Sequence, residues 1–346
     1  RLQGDWSSDV CSSDLMSWFA LFKQHVYLSR FAFTLFVPLM SAATVTPKEL
    51  PQFSTLIIII LVAWGFHMTF YGMNDVTDYE LDKVLGRKDD HPLVRGEMSR
   101  RTALIITLIH TVGALIIELL SGTTIRLMIL LIIALGGVII YDVFSKKNSF
   151  PPLTDAIESI GFIALSLYGA DKIGDPNALS IILAITFGVF LNFITGSFLG
   201  IVDLRGDLKG GAFTTPIWFG NRPIENSELS FIPRTLSIFG ISQIALLVIL
   251  NLLPLLRNDF NYPQPFLSTI TTINIIVSLI MFGYITRFLI SGVTLQKAPR
   301  DIDLDLLAAY SVLILAISYY AYLSTAWIIA LALAVASPLI VSKLIK

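Results

Sequence analysis

Ten apolar stretches of about the length that crosses a bilayer dominate this chain, and they leave few options for its fold. They lie near 28–47, 54–74, 102–120, 124–142, 155–170, 178–201, 234–255, 267–291, 304–323 and 325–344. The last two are barely separated and can be read as one bent helix, so the sequence predicts nine or ten spans. With 55% hydrophobic and 14% charged residues among 346, the chain reads as an integral membrane protein. The expected fold class is all-α, a multi-span transmembrane helical bundle around a central cavity opening at the cytoplasmic side. A net charge of −1 says little about partners, because the charge is divided by loop. Nothing suggests nucleic acid.

That division fixes an expected orientation. With each Lys and Arg allotted to its nearest side, the side bearing loops 83–101, 143–154, 202–233 and 292–303 and both termini takes 19 of the 24, leaving Lys48, Arg126, Lys172 and Arg257 opposite and Arg1 unassigned. The excess of positive charge predicts that these loops face the cytoplasm. Arg1–Leu15 is polar, lacks a basic region followed by an apolar one, and carries the one cysteine, Cys11. It reads as a non-native leader rather than a signal peptide, with Met16 as the natural start. The expectation is one membrane domain over 16–346, with a pseudo-repeat of 28–170 and 178–323. Without Cys11 neither a disulfide framework nor a thiolate metal site is available.

Two acidic motifs stand where spans run out into basic loops. The first is Asn74-Asp75-Val76-Thr77-Asp78-Tyr79-Glu80-Leu81-Asp82. If the second span continues as a helix through Asp82, then Asn74, Asp75, Asp78, Asp82, His67 and Tyr71 fall within about 100° of one another, at about 100° per residue. Like charges this close raise one another's pKa unless they share a cation. Hard oxygen ligands suit magnesium, which is commonly bound by one or two carboxylates plus phosphate oxygens. His67 can equally serve an interhelical hydrogen bond.

The second motif, Asp203-Leu204-Arg205-Gly206-Asp207, follows the sixth span. Asn192 precedes Asp203 by about three helical turns and projects onto the same face of a regular helix. Gly196 and Gly200 permit close helix packing. Both motifs end even-numbered spans, as expected if two matched arms face one metal site. The basic residues nearby, Arg87, Lys88, Arg95, Arg100, Arg101, Lys146, Lys147, Arg205 and Lys209, obey the orientation rule individually. As a group they also suit a diphosphate, whose oxygens accept charge-assisted hydrogen bonds.

These residues resemble the UbiA-type intramembrane prenyltransferase superfamily over most of the chain from Met16. The resemblance rests on NDxxDxxxD at Asn74–Asp82, a tyrosine-to-lysine element at Tyr141–Lys146, and DxxGDxxxGxxTxP at Asp203–Pro216. It implies transfer of an isoprenyl group from an isoprenyl diphosphate to a lipophilic or aromatic acceptor in the bilayer, with two Mg2+ ions. Asn74, Asp75, Asp78 and Asp82 would serve one side of the metal site and Asp203 and Asp207 the other. Lys146, with Tyr141 nearby, would contact the diphosphate. The second motif is most similar to members acting on chlorophyll precursors, homogentisate or glycerol-phosphate lipids. The chain departs from the family at His91-Pro92-Leu93-Val94-Arg95-Gly96, where Arg-Pro-hydrophobic-Pro-Ser-Gly is common, and at Arg205, where Glu is common.

By this resemblance the catalytic set is Asp78, Asp82, Asp203, Asp207 and Lys146, with Asn74, Tyr141, Asn192, Arg95, Arg87, Lys209 and His67 binding substrate. Metal and basic side chains would stabilise the leaving diphosphate, and a dry chamber would protect the allylic cation from water. A terpene cyclase on the same scaffold is the nearest alternative, and a haem-modifying farnesyltransferase would call for more histidines. A cation transporter would place its carboxylates near the midplane, whereas these aspartates lie at the ends of their spans, and Asp155 and Glu158 on the fifth span are the acidic pair such a reading would rest on. That pair reads either as cavity-lining, acceptor-contacting groups or as a solvated helix end.

Overall fold

The computed structural model describes residues 30–85, 91–226, 230–257, 266–290, 319 and 322–344. Its architecture is a helical bundle, with helices α1 (Arg30–Val45), α2 (Phe53–Leu85), α3 (Arg100–Leu120), α4 (Ile125–Phe144), α5 (Pro151–Asp171) and α6 (Ala178–Phe193) in succession. A π-helical stretch, Ile194–Leu199, and a short turn, α7 (Gly200–Val202), lead to α8 (Leu204–Gly210) and α9 (Thr215–Trp218). A two-residue hairpin pairs Arg222 with Phe231 and Pro223 with Ser230. Helices α10 (Arg234–Leu256), α11 (Phe266–Ile290) and α12 (Thr325–Leu344) complete the described chain.

Among the described residues six helices are long and apolar enough to cross a membrane: α2 to α5, α10, and α6 extended through the π stretch to Leu199. The chain is an integral membrane protein. Shorter apolar runs occupy 31–45, 271–287 and 325–338. The expected span 304–323 falls mostly outside the described residues, as do Arg1–Leu15 and the expected start at Met16. A turn at Tyr322 and a bend at Leu323 precede α12.

Local chemistry marks the helix ends. Ser99 caps α3 by accepting from the Thr102 amide at 3.0 Å, and Thr124 caps α4 through the Leu127 amide at 3.3 Å. Asn177 and Ser180 form a reciprocal capping box on α6. Such caps are worth about 1 kcal/mol each. Pro151 and Pro152 open α5, where a missing amide hydrogen costs nothing.

Helix α5 is the hub, packed by α1, α4 and α6. Glycine makes these approaches possible. A Cβ at Gly137 would lie 2.9 Å from the Ile157 carbonyl and 3.0 Å from the Gly161 Cα, so α4 and α5 touch backbone to backbone. A Cβ at Gly169 would overlap the Pro38 carbonyl of α1. The main apolar core, including Phe36, Phe66, Phe162, Tyr168, Phe187 and Trp327, fills the space among α1, α2, α4, α5, α6 and α12. Outward-facing Ile109, Leu119, Ile129, Ile249 and Leu279 stay exposed, as expected of a surface solvated by lipid.

The end of the bundle opposite the motifs is tied shut. The Trp327 indole donates to the Thr46 and Glu49 carbonyls at 2.6 and 2.9 Å. Lys172 donates to both oxygens of the fully buried Glu118 at 2.8 and 3.0 Å, and the Tyr168 hydroxyl donates to Glu118 at 2.6 Å. Arg126 pairs with Asp171 and with Asp175.

Candidate active site

Helix α2 runs unbroken from Phe53 through Leu85, so the first motif is helical over its whole length. Asp75, Asp78 and Asp82 are all buried. The Asn74 amide donates to Asp78 Oδ2 at 3.1 Å, and the Lys146 ammonium pairs with the same oxygen. Lys146 lies just past the end of α4, so this pair joins α2 to α4. Asn74 also reaches Asp142 Oδ1 on α4 at 3.5 Å. Tyr141, the residue before Asp142, lies within electrostatic reach of Glu158, Asp155, Asp142 and Asp78.

The second motif is brought to the same place by the loop that follows it. Helix α8, with the buried Asp207, packs against α2. Asp203 stands at the junction of α7 and α8, its carbonyl accepting from the Asp207 amide at 3.0 Å. Gly211 then takes φ +71°, a left-handed turn that favours glycine, and turns the chain back. The Phe213 amide donates to the Lys146 carbonyl at 3.1 Å, which ties this loop to the residue paired with Asp78. Pro216 lies against Gly200, where a Cβ would come within 2.8 Å of its ring. The Thr215 hydroxyl donates to Asp155 on α5. Lys209 is exposed in the last turn of α8, near the loop it precedes.

The other expected site residues have the following surroundings. Asp75 turns to the loop after α2, where it meets His91 Nε2 at 3.0 Å. His91 Nδ1 accepts from the Leu93 amide at 3.2 Å, which assigns the ring proton to Nε2 and makes His91 the donor to Asp75. Arg95 is exposed and pairs with Glu97 at 2.9 Å. Arg87 falls outside the described residues. His67 forms an interhelical hydrogen bond, 3.1 Å from the Thr34 hydroxyl of α1, among the rings of Phe31, Trp64 and Tyr71. Asn192 accepts from Gln243 of α10, and Ser197 donates to the Gln243 carbonyl oxygen at 2.7 Å. The regular-helix projection that aligned Asn192 with Asp203 is interrupted by the π stretch, which changes the residues per turn.

Sequence reasoning passed over Asp142, His91 and Gln243. Asp142 carried a signal, since a carboxylate inside an apolar span is costly and marks function by default. His91 and Gln243 carried none, because their partners are 16 and 51 residues away.

The donor set suits a hard cation: Asn74, Asp78 and Asp82 on α2 and Asp203 and Asp207 beyond it offer only oxygen ligands. Among the described residues no three His, Cys, Asp or Glu converge on one point. Oxygen ligands of this kind suit magnesium, which takes one or two carboxylates and completes its shell with phosphate oxygens and water. The Lys146 ammonium on Asp78 marks this carboxylate as a place for positive charge.

The sequence profile of the UbiA prenyltransferase family matches residues 35–257. The chain belongs to this family. Both acidic motifs fall inside the matched region, and α11 and α12 outside it. A digeranylgeranylglyceryl phosphate synthase of Thermococcus sibiricus is 28% identical over 193 residues, covering 54% of this chain and 63% of that protein. A 4-hydroxybenzoate octaprenyltransferase of a Marinomonas species is 26% identical over 205 residues, covering 57% and 70%. The chain spans about three fifths of the length of the digeranylgeranylglyceryl phosphate synthases it matches. A UbiA homologue of Archaeoglobus fulgidus, solved with DMAPP and Mg2+, has the same fold, with TM-score 0.60 at 18% identity over 86% of this chain and 98% of that one. A digeranylgeranylglyceryl phosphate synthase structure gives TM-score 0.58 at 19% identity over 89% and 97%.

Proposed function

We propose that this UbiA-family chain is an integral-membrane prenyltransferase, moving an isoprenyl group from an isoprenyl diphosphate to an aromatic or lipid acceptor with Mg2+. The observation that carries this reading is the junction at Lys146. Its ammonium pairs with Asp78 of the first motif, and its carbonyl accepts from Phe213 of the loop behind the second. One residue thus joins both acidic arms. The positive-charge bias of the loops supports an active site on the cytoplasmic side.

Asn74, Asp78, Asp82, Asp203 and Asp207 would hold magnesium, which as a Lewis acid stabilises charge on the departing diphosphate. The chain's own part begins with Lys146, whose side chain is 30% exposed and so can reach a diphosphate oxygen as well as Asp78. Lys209 adds a second positive group at the exposed rim. Asn74 fixes Asp78 by hydrogen bonding, leaving the carboxylate oriented before the donor arrives. The aromatic rings of Phe66, Phe70 and Phe162, at centroid distances of 5.1 to 6.4 Å, belong to the apolar core, and a dry surround of this kind would protect an allylic cation from water.

Purified protein given geranylgeranyl or farnesyl diphosphate, Mg2+ and aromatic or glycerol-phosphate acceptors should form a product heavier by one prenyl group. Asp78→Ala and Asp203→Ala should each lower turnover at least 100-fold while eluting as folded protein. Full activity in either variant would overturn the assignment. An acceptor-independent hydrocarbon product would instead favour a terpene cyclase.

A further inference from the structure

Beyond the donor site lies a second acidic group, in the seam where α4 and α5 touch at Gly137 and Gly161. Tyr141 lies one turn past Gly137, and Glu158 nearly one turn before Gly161, so both face this seam. Among charged groups, Glu158 acts most strongly on both Tyr141 and Asp142. Asp142 in turn is influenced by Asp78 and Lys146 and bonded by Asn74. These groups mark a polar path from the Lys146–Asp78 pair through Asn74 to Asp142, with Glu158 across the seam, inside an apolar bundle.

Most carboxyls on this path are already occupied. Asp78 takes Lys146 and Asn74, Asp142 takes Asn74 on one oxygen, and Asp155 takes Thr215. Glu158 is fully buried, and among the described residues neither of its oxygens has a hydrogen-bond partner. Thr195 lies beside it but directs its hydroxyl to the Leu191 carbonyl at 2.9 Å. A buried carboxyl left without a donor is strongly disfavoured, and such groups inside membranes mark function. It calls for a ligand that brings its own hydrogen-bond donor.

We propose that Glu158 is the acceptor-side catalytic residue, binding the acceptor through a hydroxyl group and taking its proton. This rests on the prenyl-transfer reading above. The hydroxyl oxygen forms the new bond to the allylic carbon of the donor. The bond from that carbon to the diphosphate oxygen breaks, its electron pair leaving with diphosphate. The hydroxyl proton passes to a Glu158 carboxylate oxygen. The shared ligand chemistry is an O–H group, carried either by an alcohol of a glycerol lipid or by a phenol.

The test compares wild type, Glu158→Gln and Glu158→Asp in detergent, with Mg2+ and labelled geranylgeranyl diphosphate, using an alkylglycerol phosphate and hydroquinone as acceptors. In Glu158→Gln, donor affinity should stay within twofold of wild type while kcat for transfer falls at least 100-fold, the range of a lost general base. Glu158→Asp should recover part of that rate. Which acceptor is used identifies the source of the hydroxyl. Independently of any variant, dicyclohexylcarbodiimide labelling of Glu158, read by peptide mass, should slow when the acceptor is present. A Glu158→Gln variant transferring at the wild-type rate, labelling indifferent to both acceptors, or a wild type that binds donor yet prenylates neither hydroxyl overturns the proposal. A wild type that fails to bind the donor overturns the prenyl-transfer reading itself.

Discussion

At Asp78 a single carboxylate oxygen receives the Lys146 ammonium and the Asn74 amide, so replacing Lys146 touches both the donor and the motif. Lys146→Met should weaken donor binding by about ten- to a hundredfold, since a hydrogen bond to a charged group is worth about 1.5–3 kcal/mol. The donor KM should rise and the melting temperature change little, because Lys146 is partly exposed. The acidic residues themselves were legible in the sequence, since carboxylates at the ends of apolar spans need a reason. The division of labour among them was not. On a helical wheel Asp75 shares a face with Asp78, yet it serves His91, and only the folded loop supplies that partner. His91→Ala should lower stability by about 1–3 kcal/mol through loss of the buried hydrogen bond to Asp75, read as a lower melting temperature in detergent.

Helices as units were legible for a simple reason: an apolar run of bridging length leaves the backbone no other partner for its hydrogen bonds. The sequence-predicted spans and observed helices agree within a few residues from α1 to α5, except that α2 runs on past 74 through the first motif to Leu85. They part company at the sixth span, where Ile194–Leu199 winds as a π-helix. No periodicity of apolar residues marks that change, so the face predicted for Asn192 shifted to meet Gln243. Helix contacts follow from glycines whose spacing alone does not reveal their neighbours. Gly169→Ala would press a methyl group into the Pro38 carbonyl and should cost about 1–3 kcal/mol as α1 and α5 separate. Gly113→Ala, with nothing within 4 Å of the added carbon, should be neutral or stabilising by up to about 1 kcal/mol. Thermal unfolding of the two variants side by side separates packing from helix propensity.

Across the whole molecule the two ends behave differently. The motif end gathers charges that can exchange partners, whereas the other end buries Glu118 under Lys172 and Tyr168. Lys172→Met should destabilise the protein by about 3–5 kcal/mol by stranding the Glu118 charge, and adding Glu118→Gln should restore much of the loss. Donor affinity should be unchanged in both, as measured with labelled diphosphate. Trp327 belongs to this closed end, and its hydrogen bond to Thr46 joins residues 281 positions apart. Ribosomes add about 5–20 residues per second, so the Thr46 carbonyl must wait on the order of tens of seconds for its partner. During that interval the first helices sit in the bilayer with this face uncovered, in need of lipid or an insertion chaperone to shield it. Biogenesis, rather than catalysis, is therefore where a lesion at Trp327 should be felt first.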